Sequence, residues 1–221
     1  MLRVGLRLAT VGGCAAAAAA IKQSTNLKLD LDDATAFDVK ESVRLAMAPG
    51  ISAKCTATPQ GKPCDPSKAE KPCKGLVTFL MLPDDMCEIT YRVEGLTPGK
   101  HGFHIHEFAD FSKGCLSAGP HYNPFGKNHG APWDEDRHVG DLGNIVADDS
   151  GVATGKLVDH LVKLSGPTSV IGRSVMVHAD EDDLGKGDNS DPITRPPVNG
   201  KCSKVTGNAG ARVACGEILL A

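Results

Sequence analysis

Residues 87–94 read Cys-Glu-Ile-Thr-Tyr-Arg-Val-Glu, so apolar and polar side chains alternate along the whole run. Alternation with a period of two is typical of a β-strand that has one face in the core and the other in solvent. Residues 76–81 are also of strand length, and Leu76, Thr78 and Leu80 would face away from Val77, Phe79 and Met81. Turn-forming Pro, Asp and Gly residues follow each run and end it. The two runs therefore predict two β-strands bounded by tight turns.

Further runs of strand length occupy the rest of the chain. They are residues 143–147, 151–157, 170–178 and 212–220. Only 4% of the residues are aromatic, whereas 25 are Gly and 14 are Pro, which favours short strands joined by turns over a helical bundle. We therefore predict an all-β protein, an antiparallel barrel or sandwich of about eight strands. The intervals 115–141 and 179–210 are too long for hairpin turns, and we expect two functional loops there.

The position of the first strand is open between two assignments. Residues 42–48 alternate, and they would make the Cys-rich stretch that follows an insertion. Alternatively, residues 51–58 form the first strand, with Cys55 facing the core. We favour residues 42–48, and accordingly predict that the folded domain spans residues 42–221.

The N-terminal region has the composition of a targeting segment. Residues 1–29 contain Arg3, Arg7, two lysines and a run of small apolar residues, but no acidic residue. This composition predicts a signal peptide over residues 1–20, followed by an N-terminal extension over residues 21–41. It favours the secretory pathway or the extracellular space. Because Arg3 and Arg7 lie one helical turn apart, a mitochondrial presequence, and with it the intermembrane space, is the alternative.

Charge and hydropathy argue against two broad classes of protein. The formal net charge is -3, without a basic stripe or an aromatic-rich RNA motif, which argues against nucleic-acid binding. The apolar run at residues 8–20 is too short, and too poor in large side chains, to span a bilayer. We expect no nucleic-acid partner and no transmembrane segment.

The cysteines predict disulfide bonds. No Cys-x-x-Cys pair is present among the eight, which disfavours a zinc ribbon or a thioredoxin-like motif. Disulfides in turn indicate an oxidising compartment. The pairing of Cys55, Cys64, Cys73, Cys87 and Cys202 stays open: Cys64 and Cys73 could close a local loop, Cys55 and Cys202 could join them in disulfides, or the thiols could be free.

The histidines gather at strand ends and in the first long loop. His104 and His106 are two residues apart and project from the same strand face, so Phe103 and Ile105 point into the core. Further candidate ligands are His121, His129, His138, Asp141 and His178, whereas His101 and His160 are interpreted as structural or solvated. Imidazole nitrogens and carboxylate oxygens suit zinc and copper, while calcium requires an oxygen cage. The spacing predicts a metal site and leaves it open between a zinc hydrolase and redox copper.

Longer motifs carry a family resemblance. They are GFHIHEF, GCLSAGPHYNP and HVGDLGN within residues 102–144, and GRSVMVHADEDDLGKG and TGNAGARVACG near the end. In this order they resemble the copper-zinc superoxide dismutase family over residues 74–221, with one longer interval at residues 188–206. The resemblance implies an eight-stranded antiparallel Greek-key β-barrel with immunoglobulin-like architecture. It also implies dismutation of superoxide to oxygen and hydrogen peroxide.

The resemblance implies a role for each matching side chain. The copper ligands would be His104, His106, His121 and His178, and the zinc ligands would be His121, His129, His138 and Asp141, with His121 as the bridge. Asp182 would bond the outer ring nitrogens of His104 and His129. His121 would pass a proton during the cycle, and Arg212 would attract the superoxide anion. Cys115 and Cys215 would form the intrasubunit disulfide.

The resemblance also implies partners. A copper chaperone would serve maturation, and a homodimer would form near Ile171, Gly172 and the C-terminal strand. Glu217 stands where an apolar interface residue is expected, and an unpaired acid would be costly to bury there. Two rival functions are a copper-delivery protein and an inactive zinc-binding sandwich. A copper-delivery protein should carry an M-x-C-x-x-C module, which the sequence does not contain. An inactive zinc-binding sandwich should lack a copper ligand or the channel arginine, whereas all of these are present in the sequence.

Overall fold

The described part of the chain is built mainly from antiparallel β-strands. The computed structural model describes residues 50–58, 72–190 and 202–221. The strands are β1 (Ser52–Ala57), β2 (Lys74–Met81), β3 (Cys87–Glu94), β4 (Gly99–His106), β5 (Ser112–Cys115), β6 (Asp141–Ala147), β7 (Val152–Asp159), β8 (Ser174–His178), β9 (Arg212–Glu217) and β10 (Leu219–Leu220). A short 3-10 helix covers Leu116–Ala118, and a one-turn helix, α1, covers Ser203–Thr206. The prediction of an all-β protein is confirmed.

Nine of these strands form one curled sheet. Their order is β10-β1-β2-β3-β7-β6-β4-β8-β9. Strands β3 and β4 are consecutive in the chain but are separated in the sheet by β7 and β6, which is a Greek-key connection. The sheet closes where the backbones of Thr58, directly after β1, and Cys215 of β9 exchange hydrogen bonds of 2.9 and 3.1 Å. The predicted antiparallel Greek-key barrel is confirmed, and it is nearly closed.

The sheet has one strand more than expected because the C-terminal run is divided. The sequence predicts a single strand over residues 212–220, but the backbone turns at Ile218. The N–H of Ile218 donates to Arg173 O at 2.8 Å, and its carbonyl accepts from the N–H of Gly172 at 2.9 Å. As a result, β9 pairs with β8 while β10 pairs with β1.

The strand that pairs with β2 is β1, so the preference for residues 42–48 as the first strand was wrong. All six residues of β1 are in register with β2, and Cys55 faces the core, as the second assignment predicts. The inward side chains of β1 are only Ala53, Cys55 and Ala57, so its apolar signal is weaker than that of residues 42–48. Residues 42–48 themselves lie outside the described residues.

The predicted targeting segment, residues 1–20, and the N-terminal extension, residues 21–41, also lie outside the described residues. So do residues 191–201 of the second long loop. Across ranges 50–58, 72–190 and 202–221, no helix has the length and apolar character needed to cross a bilayer.

Alternation along the strands supplies the core, as predicted. Val77 and Phe79 of β2, Ile89 of β3, and Phe103 and Ile105 of β4 are completely buried. Burial of each such side chain contributes about 1.5–3 kcal/mol. This packing fixes β4 from the inside, and the outer face of the same strand is free to carry polar groups.

Candidate metal centre

The outer face of β4 presents two histidines that solvent does not reach. His104 and His106 alternate with the core residues of the strand, and their exposed fractions are only 0% and 1% because loops cover them. A β-bulge between Gly102 and His104 shifts the register against β6, so that His104 lies opposite Asp141. Bulges of this kind redirect side chains beside functional sites.

The first long loop folds back along β4 and brings His121 to these histidines. The N–H of Ile105 donates to Gly140 O at 2.9 Å, and the N–H of Tyr122 donates to Ile105 O at 2.8 Å. A Cβ at Gly140 would overlap the carbonyl oxygen of Ile105, so this close approach requires glycine. His121 thereby forms a β-bridge with His106.

His121 belongs to two groups of side chains that can each hold a metal ion. The first group is His104, His106, His121 and His178, and the second is His121, His129, His138 and Asp141. Within each group the ligand atoms lie within 4.8 Å of one another, and every member is at most 5% exposed. The ring centroid of His121 lies 4.0 Å from that of His104 and 5.5 Å from that of His138. The structure thus brings together all the ligand candidates named from the sequence.

In the second group, three ring nitrogens converge on one carboxylate oxygen. The Nδ1 atoms of His121, His129 and His138 lie 2.8, 2.9 and 3.1 Å from Oδ1 of Asp141. Burial raises the pKa of Asp141, but the hydrogen bonds from the three histidines outweigh it, and the pKa is strongly lowered. Three imidazole nitrogens and one carboxylate oxygen are a donor set typical of a closed, four-coordinate zinc site.

In the first group, three histidines each donate a hydrogen bond from one of their two ring nitrogens. Nδ1 of His106 donates to Gly119 O at 2.9 Å, Nδ1 of His178 to Gly210 O at 3.2 Å, and Nε2 of His104 to Asp182 Oδ2 at 2.8 Å. The opposite nitrogen of each ring is buried and has no hydrogen-bond partner within the described part of the chain. A neutral imidazole that donates through one nitrogen carries a lone pair on the other. Three buried lone pairs without a donor fit a bound metal ion.

Burial keeps the rings of His106, His121 and His178 unprotonated at neutral pH. The pKa values of His106 and His178 lie well below the ordinary 6.5, first because of burial and then because of neighbouring positive groups such as Arg212. The pKa of His121 is lowered to about 3 by burial and by its proximity to His104. Since metal ions bind the unprotonated ring, these side chains are ready to act as ligands.

The carboxylate of Asp182 connects the two groups. Its Oδ2 accepts from Nε2 of His104 and its Oδ1 from Nε2 of His129, both at 2.8 Å. Burial lowers the pKa of His129, but its contacts with the carboxylates of Asp141 and Asp182 outweigh this and raise it to about 9. The contacts that the family resemblance implies for Asp182 are therefore present. Outer contacts of this kind orient ligands and set their tautomers.

Arg212 lies beside the first group, at the start of β9 and opposite His178. Its guanidinium donates to the carbonyl oxygens of Cys115 at 2.9 Å, Leu116 at 3.3 Å and Gly119 at 2.7 Å. The same Gly119 carbonyl accepts from His106, so one backbone oxygen positions both side chains. Burial lowers the pKa of Arg212 to about 10, which still leaves the group charged at neutral pH.

The predicted disulfide between Cys115 and Cys215 is confirmed, and it joins the first long loop to β9. The alternative in which Cys55 and Cys202 take part in disulfides is wrong, because both residues carry free thiols. Cys55 faces the core from β1, whereas Cys202 lies at the N-terminus of α1. Cys64 lies outside the described residues, so its pairing stays a prediction.

Sequence reasoning missed Arg137, which is completely buried. Its Nη1 donates to the carbonyl oxygens of His138 at 3.2 Å and Asp141 at 3.1 Å, and its Nη2 pairs with Asp159 Oδ2 at 2.6 Å. In the sequence it is one charge in an Asp-Glu-Asp-Arg run, and no local pattern marks it as buried. Asn144 was missed for a similar reason, since the backbone of Asp182 that it binds is 38 positions away.

The two histidines interpreted as structural or solvated do lie outside the metal-ligand groups. His101 is buried, and its ring nitrogens lie 2.9 Å from His178 O and 2.8 Å from Thr97 O. His160 is exposed on the surface after β7.

The fold and the site together define a class of protein: an all-β barrel metalloprotein in which two adjoining ligand groups share one imidazole. Comparisons with known proteins give the family. Residues 73–218 match the model of the copper/zinc superoxide dismutase family. The chain therefore belongs to the copper/zinc superoxide dismutase family.

Individual relatives agree with this assignment. The Cu-Zn superoxide dismutase of Candida glabrata is 56% identical over 146 residues, which cover 65% of this chain and 88% of the relative. That of Saccharomyces cerevisiae is 50% identical over 153 residues, covering 68% and 92%. Among solved structures, the crystal structure of the clock protein EA4 is similar with a TM-score of 0.64 and 38% identity, over 79% of this chain and 97% of that one. Copper and zinc are the cofactors, and the enzyme converts superoxide into oxygen and hydrogen peroxide.

Proposed function

We propose a specific division of the ligands between the two metals. His104, His106, His121 and His178 hold copper, and His121, His129, His138 and Asp141 hold zinc, with His121 as the shared ligand. The observation that carries this proposal is the tautomer of three rings in the first group. In each ring, one nitrogen donates a hydrogen bond to a backbone carbonyl or a carboxylate, and the other is buried without a hydrogen-bond partner among the described residues. Proteins orient metal-binding imidazoles through hydrogen bonds of this kind.

The remaining residues bind substrate and move protons. When bound, copper supplies the one-electron redox chemistry, while zinc has none and holds the shared ligand. Arg212 attracts and orients the small anion through its charge, as a fixed cation beside an anion-binding site does. Its three carbonyl contacts hold the guanidinium in one position.

His121 is proposed as the proton carrier of the reaction. Its Nδ1 faces Asp141 at 2.8 Å, so Nε2 is the atom that is left for the first group. Nε2 takes up a proton in one half of the cycle and, in the other half, donates it to superoxide as this is reduced to peroxide; a second proton from solvent completes hydrogen peroxide. This is general acid–base work by a ring whose pKa burial has shifted.

The ligand assignment is tested by His106→Ala, with copper and zinc content measured by mass spectrometry alongside dismutase activity. The variant should lose most of its copper and its activity but keep zinc, because the second group is intact. His160→Ala, which changes an exposed histidine outside both groups, serves as the matched control. Full copper content and activity in His106→Ala would contradict the assignment.

We also propose a homodimer through the surface around Gly172. Phe108 is 49% exposed and Leu219 is 50% exposed. Hydrogen bonds from Ser174 Oγ to Phe108 O and from Gly172 N to Ile218 O connect these segments into one apolar face. Glu217, which raised doubt about this face, is exposed in the single chain. Burying exposed apolar side chains of this size against a second copy favours association.

Sedimentation velocity of Leu219→Glu tests the dimer. A charge at the centre of the face should shift the enzyme to monomer, whereas Val146→Glu should not. Val146 is 59% exposed on β6, five strands away from β10 in the sheet order. A wild-type monomer at micromolar concentration, or equal behaviour of the two variants, would overturn this part of the proposal.

Maturation by a copper chaperone is a further proposal. The first-group ligands are buried under loops that the Cys115–Cys215 disulfide fastens to β9, so metal entry requires that these loops open. Expression in a host lacking its copper chaperone should give a protein with normal zinc but low copper. Full copper loading in that host would contradict the proposal.

For the N-terminal region we propose a cleaved signal peptide over residues 1–20, followed by the extension 21–41 and the domain 42–221. The intact mass of the protein purified from its natural source gives the mature N-terminus and the number of disulfides together. A reporter fused to residues 1–49 should enter the secretory pathway. Import into mitochondria instead would overturn the signal-peptide assignment.

A further inference from the structure

The longer interval between β8 and β9 is closed at its base by backbone and side-chain contacts. The N–H of Ser203 donates to Asp188 O at 3.0 Å. The N–H of Lys204 donates to Asn189 Oδ1 at 2.8 Å. Residues 188–189 and 203–204, which lie before and after residues 191–201 in the chain, are therefore next to each other.

Asn208 uses its whole amide group at this point. Its Nδ2 donates to Asp183 Oδ2 at 2.7 Å and to Asp188 O at 3.0 Å, and its Oδ1 accepts from the N–H of Cys202 at 2.9 Å. Its backbone φ of 53° lies in the left-handed region, where Asn is tolerated better than most residues. One side chain thus joins residues 183–188 to residues 202–208.

Two further side chains complete what we call the clasp, formed by Asp183, Ser203 and Asn208. The hydroxyl of Ser203 donates to Asp183 Oδ1 at 2.5 Å and accepts from the N–H of Gly187 at 2.9 Å. Ser203 is completely buried. Both oxygens of the Asp183 carboxylate are therefore occupied by members of the clasp.

The clasp adjoins the metal centre on its inner side. The N–H of His129 donates to Lys204 O, within α1, at 2.8 Å. Gly207 follows α1, and a Cβ there would overlap the carboxylate of Asp182 and lie 2.5 Å from Nε2 of His129. The position of α1 and Gly207 therefore fixes the backbone of His129 and the surroundings of its bond to Asp182.

We infer that Asn208 is a positioning residue of the zinc site: through the clasp it holds α1 against His129. The inference rests on the proposed role of His129 as a zinc ligand. Loss of hydrogen-bond partners outside the ligands typically weakens metal affinity about 10–100-fold. The sequence of residues 191–200 should matter little, because every contact of the clasp is made by residues outside this range.

The test uses Asn208→Gly in the fully metal-loaded enzyme. Glycine accepts the positive φ, so the variant removes three hydrogen bonds without adding backbone strain. Zinc release to excess chelator should be on the order of 10-fold faster than in the wild type, and amide hydrogen exchange at His129 should also be faster. Ser203→Ala, which removes only the hydroxyl contacts, should give a smaller change in the same direction.

The matched control replaces residues 191–200 with a Gly-Ser segment of equal length, and it should release zinc at the wild-type rate. Unchanged release in Asn208→Gly, or equal acceleration by the Gly-Ser replacement, would overturn the inference. His129→Ala in the same assay separately tests the proposed role of His129 as a zinc ligand. If that variant retains zinc like the wild type, the ligand assignment fails, whatever the result for Asn208.

Discussion

The guanidinium of Arg137 and the carboxylate of Asp159 form a buried ion pair, with Nη2 and Oδ2 2.6 Å apart and side-chain exposures of 0% and 2%. Asp159 ends β7, and its other oxygen accepts from the N–H groups of Leu161 and Val162 at 2.7 and 2.9 Å. Arg137 lies in the first long loop, directly before His138. The pair therefore fastens the loop that carries His121, His129 and His138 to the barrel.

Asp159→Asn should destabilise the protein strongly, because it leaves the charge of Arg137 buried and unpaired. Breaking a buried pair in this way costs about 3–5 kcal/mol, measured as the free energy of unfolding of the metal-free protein in urea. Glu88→Gln removes a partner of Lys156, which is 67% exposed, and should cost less than about 1 kcal/mol. Equal stability of the two variants would contradict a structural role for the buried pair.

Arg212→Gln should lower kcat/KM by on the order of 10-fold or more, because electrostatic attraction of a small anion raises its rate of association by about that factor at least. The remaining activity should also depend less on ionic strength, since screening acts on the missing charge. Lys156→Gln makes the same change of charge away from the site and should leave kcat/KM unaltered. Arg212→Gln should contain as much copper and zinc as the wild type, which assigns the lower kcat/KM to substrate binding and not to loss of metal.

Removal of the disulfide by Cys115→Ala with Cys215→Ala should lower the free energy of unfolding by about 4 kcal/mol. The two cysteines are 100 positions apart, and a cross-link across so long a loop strongly restricts the unfolded chain. Urea unfolding of the metal-free double variant, and of the reduced wild type, measures the loss. If both unfold at the same urea concentration as the oxidised wild type, the prediction is wrong.

The metal-free protein should lose stability as the pH falls below about 6.5. The pKa values of His106 and His178 are lowered well below 6.5 and that of His121 to about 3 in the folded state, so in this window the unfolded chain binds protons that the folded chain does not. Each such group removes about 1.4 kcal/mol per pH unit.

His129 changes the free energy of unfolding with pH in the opposite direction. Its pKa is raised to about 9, so its contribution is fully present below 6.5 and is lost as the pH rises through 9. Stability of the metal-free protein should therefore be greatest near neutral pH, as measured by urea unfolding between pH 4 and 9. A constant free energy of unfolding between pH 6.5 and 4 would contradict this account.

The sequence predicts those parts of the fold in which the two faces of a strand differ. Strands β2 and β3 were found because Val77, Phe79 and Ile89 alternate with polar or exposed residues. The pair His104 and His106 was found by the same period of two. In each case the physical cause, burial on one side of a strand, acts between residues that are two positions apart.

The parts that were missed depend on contacts far apart in the chain. The inward side chains of β1 are small, so the sequence gives only a weak apolar pattern there. The pairing with β2 is what identifies β1 as a strand of the barrel. The turn at Ile218 is set by hydrogen bonds to Gly172 and Arg173. Arg137 looks like a surface charge until Asp159, 22 positions later, pairs with it. Sequence spacing cannot show such partners, because the fold creates them.

Neighbouring positions of β9 point to opposite sides of the barrel wall. A Cβ at Gly216 would lie 2.8 Å from the sulfur of Cys55 in the core, whereas Cys215 bonds to Cys115 in a separate outer cluster. Burial also raises the pKa of Cys55 to about 12, and only a thiolate attacks a disulfide. While the seam between β1 and β9 stays closed, the fold therefore protects the Cys115–Cys215 bond from attack by Cys55, and exchange among these three sulfurs can occur only after the barrel opens.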